Sequence, residues 1–167
     1  MFALRSPHGQ ALAKGVGTAA RIARVGWTMI ATRFAVAIHI LLLLAAEPGG
    51  QATSGRIAES VGTNPVVIRR LAGQLARAGL VRIRRGPGGA ELARPASSIT
   101  LADVWAAMRR PNLPLLPAHR GPQRAGEALG RAIPGLLRGA FDEAERALEQ
   151  SLAKVTLEAL QAQLETA

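Results

Sequence analysis

Residues 64 to 94 constrain the fold more than any other part of the chain. Asn64 and Pro65 open the run Val66-Val67-Ile68-Arg69-Arg70-Leu71. Asn at an N-cap accepts from the free first-turn amides, and Pro at the first helical position has no amide to lose. Val67, Ile68, Leu71, Leu75 and Ala78 recur at helical spacing, which predicts an inner apolar face. Val66, Arg69, Arg70, Gly73, Gln74 and Arg77 are left outward. Gly79 predicts a left-handed helix stop. Leu80 to Arg84 then alternates, with Leu80, Arg82 and Arg84 on one side and Val81 and Ile83 on the other, as in a half-buried strand. Arg85-Gly86-Pro87-Gly88-Gly89 reads as the turn and Ala90 to Ala93 as the returning strand, ended by Pro95.

The flanks supply further helices. One is predicted from Arg33 to Ala46, stopping before Glu47-Pro48-Gly49-Gly50. A second runs from Thr53 or Ser54, either able to cap it, to Val61, and Gly62-Thr63 make the turn into the helix capped by Asn64. Leu101 to Met108 reads as another helix, with Thr100 and Asp103 in capping-box spacing. Four prolines at positions 111, 114, 117 and 122 make 109–122 a loop, with a short helix expected up to Ile133. A last long helix is predicted from Gly135 or Leu136 to Leu164. On it Phe141, Leu148 and Val155 recur every seven residues beside Ala144, Leu152 and Ala159, the seam of a helix pair and hence of a homodimer.

The fold class expected is therefore mainly α with a small β-hairpin wing. It comprises a winged helix-turn-helix over 29–110, a Pro-rich loop and short helix over 111–134, and a dimerisation helix over 135–167. Residues 1–28, rich in Gly and Ala and basic, read as a flexible extension.

Charge narrows the partner. The net charge is +10, with +7 on residues 33–110 and −1 on residues 111–167. A basic field centred on the hairpin and its preceding helix suits a polyanion, nucleic acid before membrane. The apolar run Phe34–Ala46 is 13 residues long, short of the roughly 20 that span a bilayer. There is no cysteine, so disulfides and thiolate metal sites are excluded. The histidines at 8, 39 and 119 have no partner ligands nearby in sequence, and no nucleophile–base spacing appears. Neither an enzyme nor a metal protein is expected. The turn Gly86-Pro87-Gly88-Gly89 is not followed by Lys-Ser/Thr or by a helix, which excludes a nucleotide P-loop.

In this layout the second helix of the motif enters the major groove and the wing grips flanking backbone. Thr63, Asn64, Pro65, Val66 and Val67 occupy its leading end, followed by Arg69, Arg70 and Gln74. Arg33, Thr53 and Ser54 flank it. Arg84, Arg85, Gly86, Pro87, Gly88 and Gly89 form the wing contacts. Val66 suits a thymine methyl, and Arg69 and Arg70 suit guanine or phosphate. The expected partner is double-stranded DNA in the cytoplasm, with no membrane, no cofactor and an unidentified small-molecule effector. The alternative is a winged-helix module that docks proteins without DNA.

Certain runs of the chain resemble a known family. They are Thr32-Arg33-Phe34-Ala35-Val36-Ala37-Ile38-His39-Ile40-Leu41, Thr53-Ser54 with Ile57-Ala58, and Thr63-Asn64-Pro65-Val66-Val67-Ile68-Arg69-Arg70-Leu71. Gly79-Leu80-Val81, Gly86-Pro87-Gly88-Gly89-Ala90 and Ile99-Thr100-Leu101-Ala102-Asp103-Val104-Trp105 complete the set. Together they resemble the Rrf-two family of bacterial transcriptional regulators over about residues 30–165. The resemblance implies a winged-helix homodimer whose long C-terminal helix crosses to the partner. It also implies a dyad-symmetric operator and, most often, repression. Many members hold an iron–sulfur cluster on three cysteines in the loop after the fourth helix. Here that loop, Pro111 to Pro122, has none, so the cluster does not carry over. The wing also departs from the commoner Gly-Gly-Gly-aromatic form at Ala90-Glu91-Leu92. The resemblance is to the branch lacking the cluster-binding cysteines.

Overall fold

The computed structural model describes residues 30–47, 52–84, 89–109, 114–116 and 128–166. The extension 1–28, the turn residues Arg85, Gly86, Pro87 and Gly88, His119 and most of the Pro-rich loop lie outside them. Helix α1 covers 30–46 and begins three residues before Arg33. Helices α2 (Ser54–Val61) and α3 (Pro65–Arg77) follow, then strands β1 (Val81–Ile83) and β2 (Ala90–Leu92). A 3-10 turn (Ala96–Ser98) leads to α4 (Leu101–Met108), α5 (Ala128–Ala153) and α6 (Leu157–Glu165). The fold is mostly helical with one antiparallel two-stranded hairpin.

Local chemistry sets the α2–α3 geometry. Thr53 caps α2 by accepting from the Arg56 amide, and Asn64 caps α3 by accepting from the Val66 amide at 2.7 Å. Gly62 between them has φ 72°, and the Thr63 amide reaches back to the Ala58 carbonyl at 2.9 Å. At the other end of α3, Gly79 has φ 71°. The Leu80 amide donates to the Leu75 carbonyl at 2.9 Å and the Gly79 amide to Ala76 at 3.0 Å, a Schellman closure. A β-carbon at Gly79 would cost about 1–2 kcal/mol. The same closure puts Leu80 and Leu75 together in the core, so the helix stop also aims β1.

Ile40 and Leu41 of α1, Ile68, Leu71 and Leu75 of α3, and Val104 and Met108 of α4 form one buried cluster with Leu80, Ile99 and Leu157. Each such side chain contributes about 1.5–3 kcal/mol by leaving water. Polar and aromatic ties fix α1 over it. Phe34 meets Trp105 edge-to-face at 5.2 Å. His39 hydrogen-bonds Ser60 at 3.0 Å, so this histidine joins α1 to α2.

Four expectations need correction. Val67 and Ala78 are exposed, and the buried face of α3 is Ile68, Leu71, Ala72 and Leu75. That set follows the i, i+3, i+4, i+7 rule more closely. Ile83 stands 53% exposed although Val81, two residues earlier on the same face, is buried. Ile83 lines a gap there between the hairpin and helices α2 and α3. In the C-terminal part, α5 begins at Ala128 and continues through Pro134, which forfeits one backbone hydrogen bond without ending the helix.

The predicted single helix up to Leu164 is also two helices. Thr156 is extended and caps α6 by accepting from the Ala159 amide at 3.2 Å. The break lets the chain pair with 99–101: Leu101 donates to the Val155 carbonyl and Leu157 to the Ile99 carbonyl, each at 2.9 Å. Leu157 is then wholly buried in the core. The seven-residue stripe from Phe141 to Ala159 therefore does not lie on one helix, and Val155 sits in the break. The C-terminal half of α5 meets the end of α4 by charge. Arg109 pairs with Glu145 at 3.2 Å and with Glu149, and Glu145 also accepts from the Leu115 and Leu116 amides at 2.5 and 3.0 Å.

Candidate nucleic-acid interface

The outer face of α3 follows from its inner one. With Ile68, Leu71, Ala72 and Leu75 inward, a rotation of about 100° per residue turns Val66, Arg70, Gly73 and Arg77 directly outward. Arg69 flanks this stripe toward the hairpin, and Val67 and Gln74 flank it toward α1. Val66 is 61% exposed and Val67 42%, an unusual placement for two adjacent β-branched residues at a helix start. Thr63 and Asn64 are exposed beside them, Pro65 is half-buried, and α3 carries no acidic residue.

Its arginines also lack counter-charges. Among the described residues, no carboxylate pairs with Arg69, Arg70 or Arg77. The other described arginines between residues 52 and 109 are all paired. Arg56 meets Glu47 at 2.8 Å, Arg94 meets Asp103 at 3.4 Å, and Arg109 meets Glu145 and Glu149. Arg82 and Arg84 both meet Glu91. Among the described residues between 52 and 109, the uncompensated positive charge is thus on α3.

The wing is more nearly balanced. The hairpin register places Arg82 opposite Glu91 and Ile83 opposite Ala90. Glu91 accepts from Arg82 at 3.3 Å and from Arg84, two residues further along the chain. The hydrogen bond from Arg84 holds the Glu91 carboxyl below the usual glutamate range, ahead of a smaller opposing effect of desolvation. Gly89 closes the hairpin with φ 61°, and its carbonyl accepts from the Arg84 amide at 3.0 Å.

Among the residues expected at the interface, Thr63, Asn64, Val66, Val67, Arg69 and Arg70 share the exposed leading end of α3. Thr53 is exposed at the start of α2, and Ser54 is half-buried at the edge of a groove between α2, α3 and the hairpin. Arg33 and Gln74 differ from the rest. Arg33 donates to Gln74 at 2.6 Å, so the two tie α1 to α3. Arg77, outward by the same spacing, is also exposed on this face. Its signal is its distance of seven from Arg70, which brings both to one helix face. Glu91, the counter-charge of the wing, had no sequence signal apart from the hairpin register.

A family model described as Rrf2, iron-dependent transcriptional regulator, matches residues 30–163. The chain belongs to the Rrf2 family. It is a transcriptional regulator of that family, and its lack of cysteine fits the branch without cluster ligands. The HTH-type transcriptional regulator YwnA of Bacillus subtilis strain 168 is 36% identical over 129 residues, covering 77% of this chain and 94% of YwnA. A crystal structure described as a DNA-binding protein is 34% identical, with a TM-score of 0.64 over 77% of this chain and 97% of that one. A transcriptional regulator from Lactobacillus plantarum is 27% identical, with a TM-score of 0.68 over 80% and 89% of the two chains.

The family description speaks of iron. Iron–sulfur clusters are held by cysteine thiolates, and this Rrf2 chain has none. Among the described residues no three His, Cys, Asp or Glu gather to hold a metal ion. The residues present do not fit such a cluster. No helix among the described residues is long and apolar enough to cross a membrane.

Proposed function

We propose that this Rrf2 regulator binds DNA sequence-specifically as a homodimer on a dyad-symmetric operator and acts as a repressor, in the cytoplasm beside the chromosome. The observation that carries the reading is the stripe Val66, Arg70, Gly73 and Arg77, flanked by Arg69. Val66, Arg69, Arg70 and Arg77 are exposed, the stripe is free of acid and, among the described residues, its arginines have no ion-pair partners. Leaving such arginines unpaired gains nothing for the fold, and phosphates and guanine edges are the partners that match them. Asn64 and Val66 are exposed at the leading end of α3, the end by which recognition helices meet bases, and two such helices would read half-sites roughly 34 Å apart.

Dimerisation is supported by apolar side chains that one protomer leaves uncovered. Leu136 is 72% and Leu164 63% exposed, and Phe141, Leu148 and Leu152 are only half-buried on α5. The dimerising set is Phe141, Ala144, Leu148 and Leu152 on α5, with Val155 in the break and Ala159 on α6.

Titration of the chain against genomic fragments at several salt concentrations tests the reading, alongside light scattering for mass. Expected are a dimer and an affinity that falls steeply with salt. Arg84→Ala weakens binding to all sequences, whereas substitutions at Asn64, Val66 or Arg70 relax sequence preference by about 1–3 kcal/mol per lost base contact. Salt-insensitive binding, or full binding by a variant lacking Arg69, Arg70 and Arg77, overturns it. A promoter fusion to a reporter decides the sign of regulation.

A further inference from the structure

The misplaced Ile83 marks a site. The gap beneath it is a groove of about 290 Å³ between α2, α3 and the hairpin, at the lower end of small-molecule pockets. Ile57, Ala72, Ile83 and Ala90 make its walls apolar, and Arg69 and Arg84 stand at its rim. Arg82, Arg84 and Glu91 together leave one positive charge, and Arg69 adds a second with no described carboxylate beside it.

We propose that this groove binds a small organic carboxylate with an apolar body, and that such an acid is the effector that releases DNA. The inference rests on the DNA-binding reading for its regulatory half only. A DNA phosphodiester can meet Arg69 but offers no apolar bulk to cover Ile57, Ala72 and Ile83. A hydrocarbon chain or aromatic ring does, and its carboxylate takes the arginine. The acid and a phosphate then compete for Arg69, and a body wedged under Ile83 sets the angle of the wing to α3. Linkage makes the effect mutual: each ligand lowers the affinity of the other by the same factor.

The experiment uses the full chain with hexanoate, 4-phenylbutyrate and indole-3-acetate, the neutral amide of each, and inorganic phosphate. Amide NMR and thermal melting without DNA read groove occupancy, and DNA titration with and without each compound reads release. The acids are expected to raise the melting temperature, to move the Ala72, Ile83 and Ala90 resonances, and to weaken DNA binding about five-fold or more. The amides and phosphate do neither. Ile83→Ser, a change at an exposed position, abolishes the response to acid and leaves binding to DNA alone unchanged. Groove resonances unmoved by all three acids, amides as effective as acids, phosphate as effective as acids, or a full acid response in Ile83→Ser would each overturn the site. Groove occupancy without any DNA binding by the wild-type chain would instead overturn the DNA-binding reading and the release it implies, leaving the site itself standing.

Discussion

Arg84 and Glu91 are ion-paired across the hairpin, and the same carboxylate takes Arg82, so the wing carries its own counter-charge. Glu91→Gln removes the charge and keeps the size. We expect stronger DNA binding and a salt dependence steeper by about one to two phosphate contacts, each worth roughly 0.9 in the log–log slope. Fluorescence anisotropy over a salt series measures it, and an unchanged slope would show that these arginines do not meet phosphate. Because the carboxyl is held below the usual glutamate range, the pair is intact at neutral pH. Its contribution to the hairpin is present above that range and is lost as pH falls through the lowered value.

The Thr100–Asp103 capping box is a second acid-sensitive point. Asp103 accepts from the Thr100 amide at 2.9 Å and hydroxyl at 3.0 Å and pairs with Arg94. Burial opposes its charge, but the Thr100 hydrogen bonds and the Arg94 charge outweigh it and lower its pKa. Asp103→Ala is expected to cost about 1 kcal/mol near neutral pH. The gap in melting temperature between the two proteins should stay open above the ordinary aspartate range and close as pH falls through the lowered value. A gap independent of pH would remove the carboxylate from the account.

Leu157 tests whether the C-terminal helices belong to the core. It is fully buried, and Leu157→Ala is expected to destabilise the protein by about 2–5 kcal/mol in chemical denaturation. Ending the chain after Ala153 should likewise unfold the winged helix, because Ile99 and Leu101 lose their backbone partners with it. A shortened chain that melts like the wild type would make α6 an appendage.

Gly73 lies in the middle of α3 on the outward stripe, where glycine costs the helix about 0.5–1 kcal/mol relative to alanine. Nothing inside the protein requires it, since an added β-carbon would come no closer than 3.8 Å to the Arg77 guanidinium. Gly73→Ala should therefore raise the melting temperature and lower DNA affinity, the surface giving up clearance for an approaching backbone. A rise in both would show that the glycine serves no contact.

Local elements were legible because their causes are local. Asn64, Thr100 and Gly79 act within one helical turn, so their sequence positions already specify where α3 and α4 begin and where α3 stops. The Val66–Arg70 end of the candidate site was legible for the same reason, as spacing on one helix. The break at 154–156 was not, because the periodic stripe through Phe141, Leu148 and Val155 reads the same whether or not the chain leaves the helix to pair with Thr100. Pro134 misled in the opposite direction, since its neighbours keep the helix despite the missing amide. Arg33 and Gln74, 41 residues apart, looked like two independent surface groups and are partners.

By itself, then, the sequence determined the order of elements as far as α4, the caps that bound α2, α3 and α4, the basic balance of residues 33–110 and the absence of thiolates. Each depends on residue identity or on neighbours a few positions away. Only the tertiary structure decided which arginines remain uncompensated, where α6 returns to the core and why Ile83 stands over an open groove. Those outcomes depend on strand register and on helices meeting from distant parts of the chain, where a shift of one residue changes which groups touch.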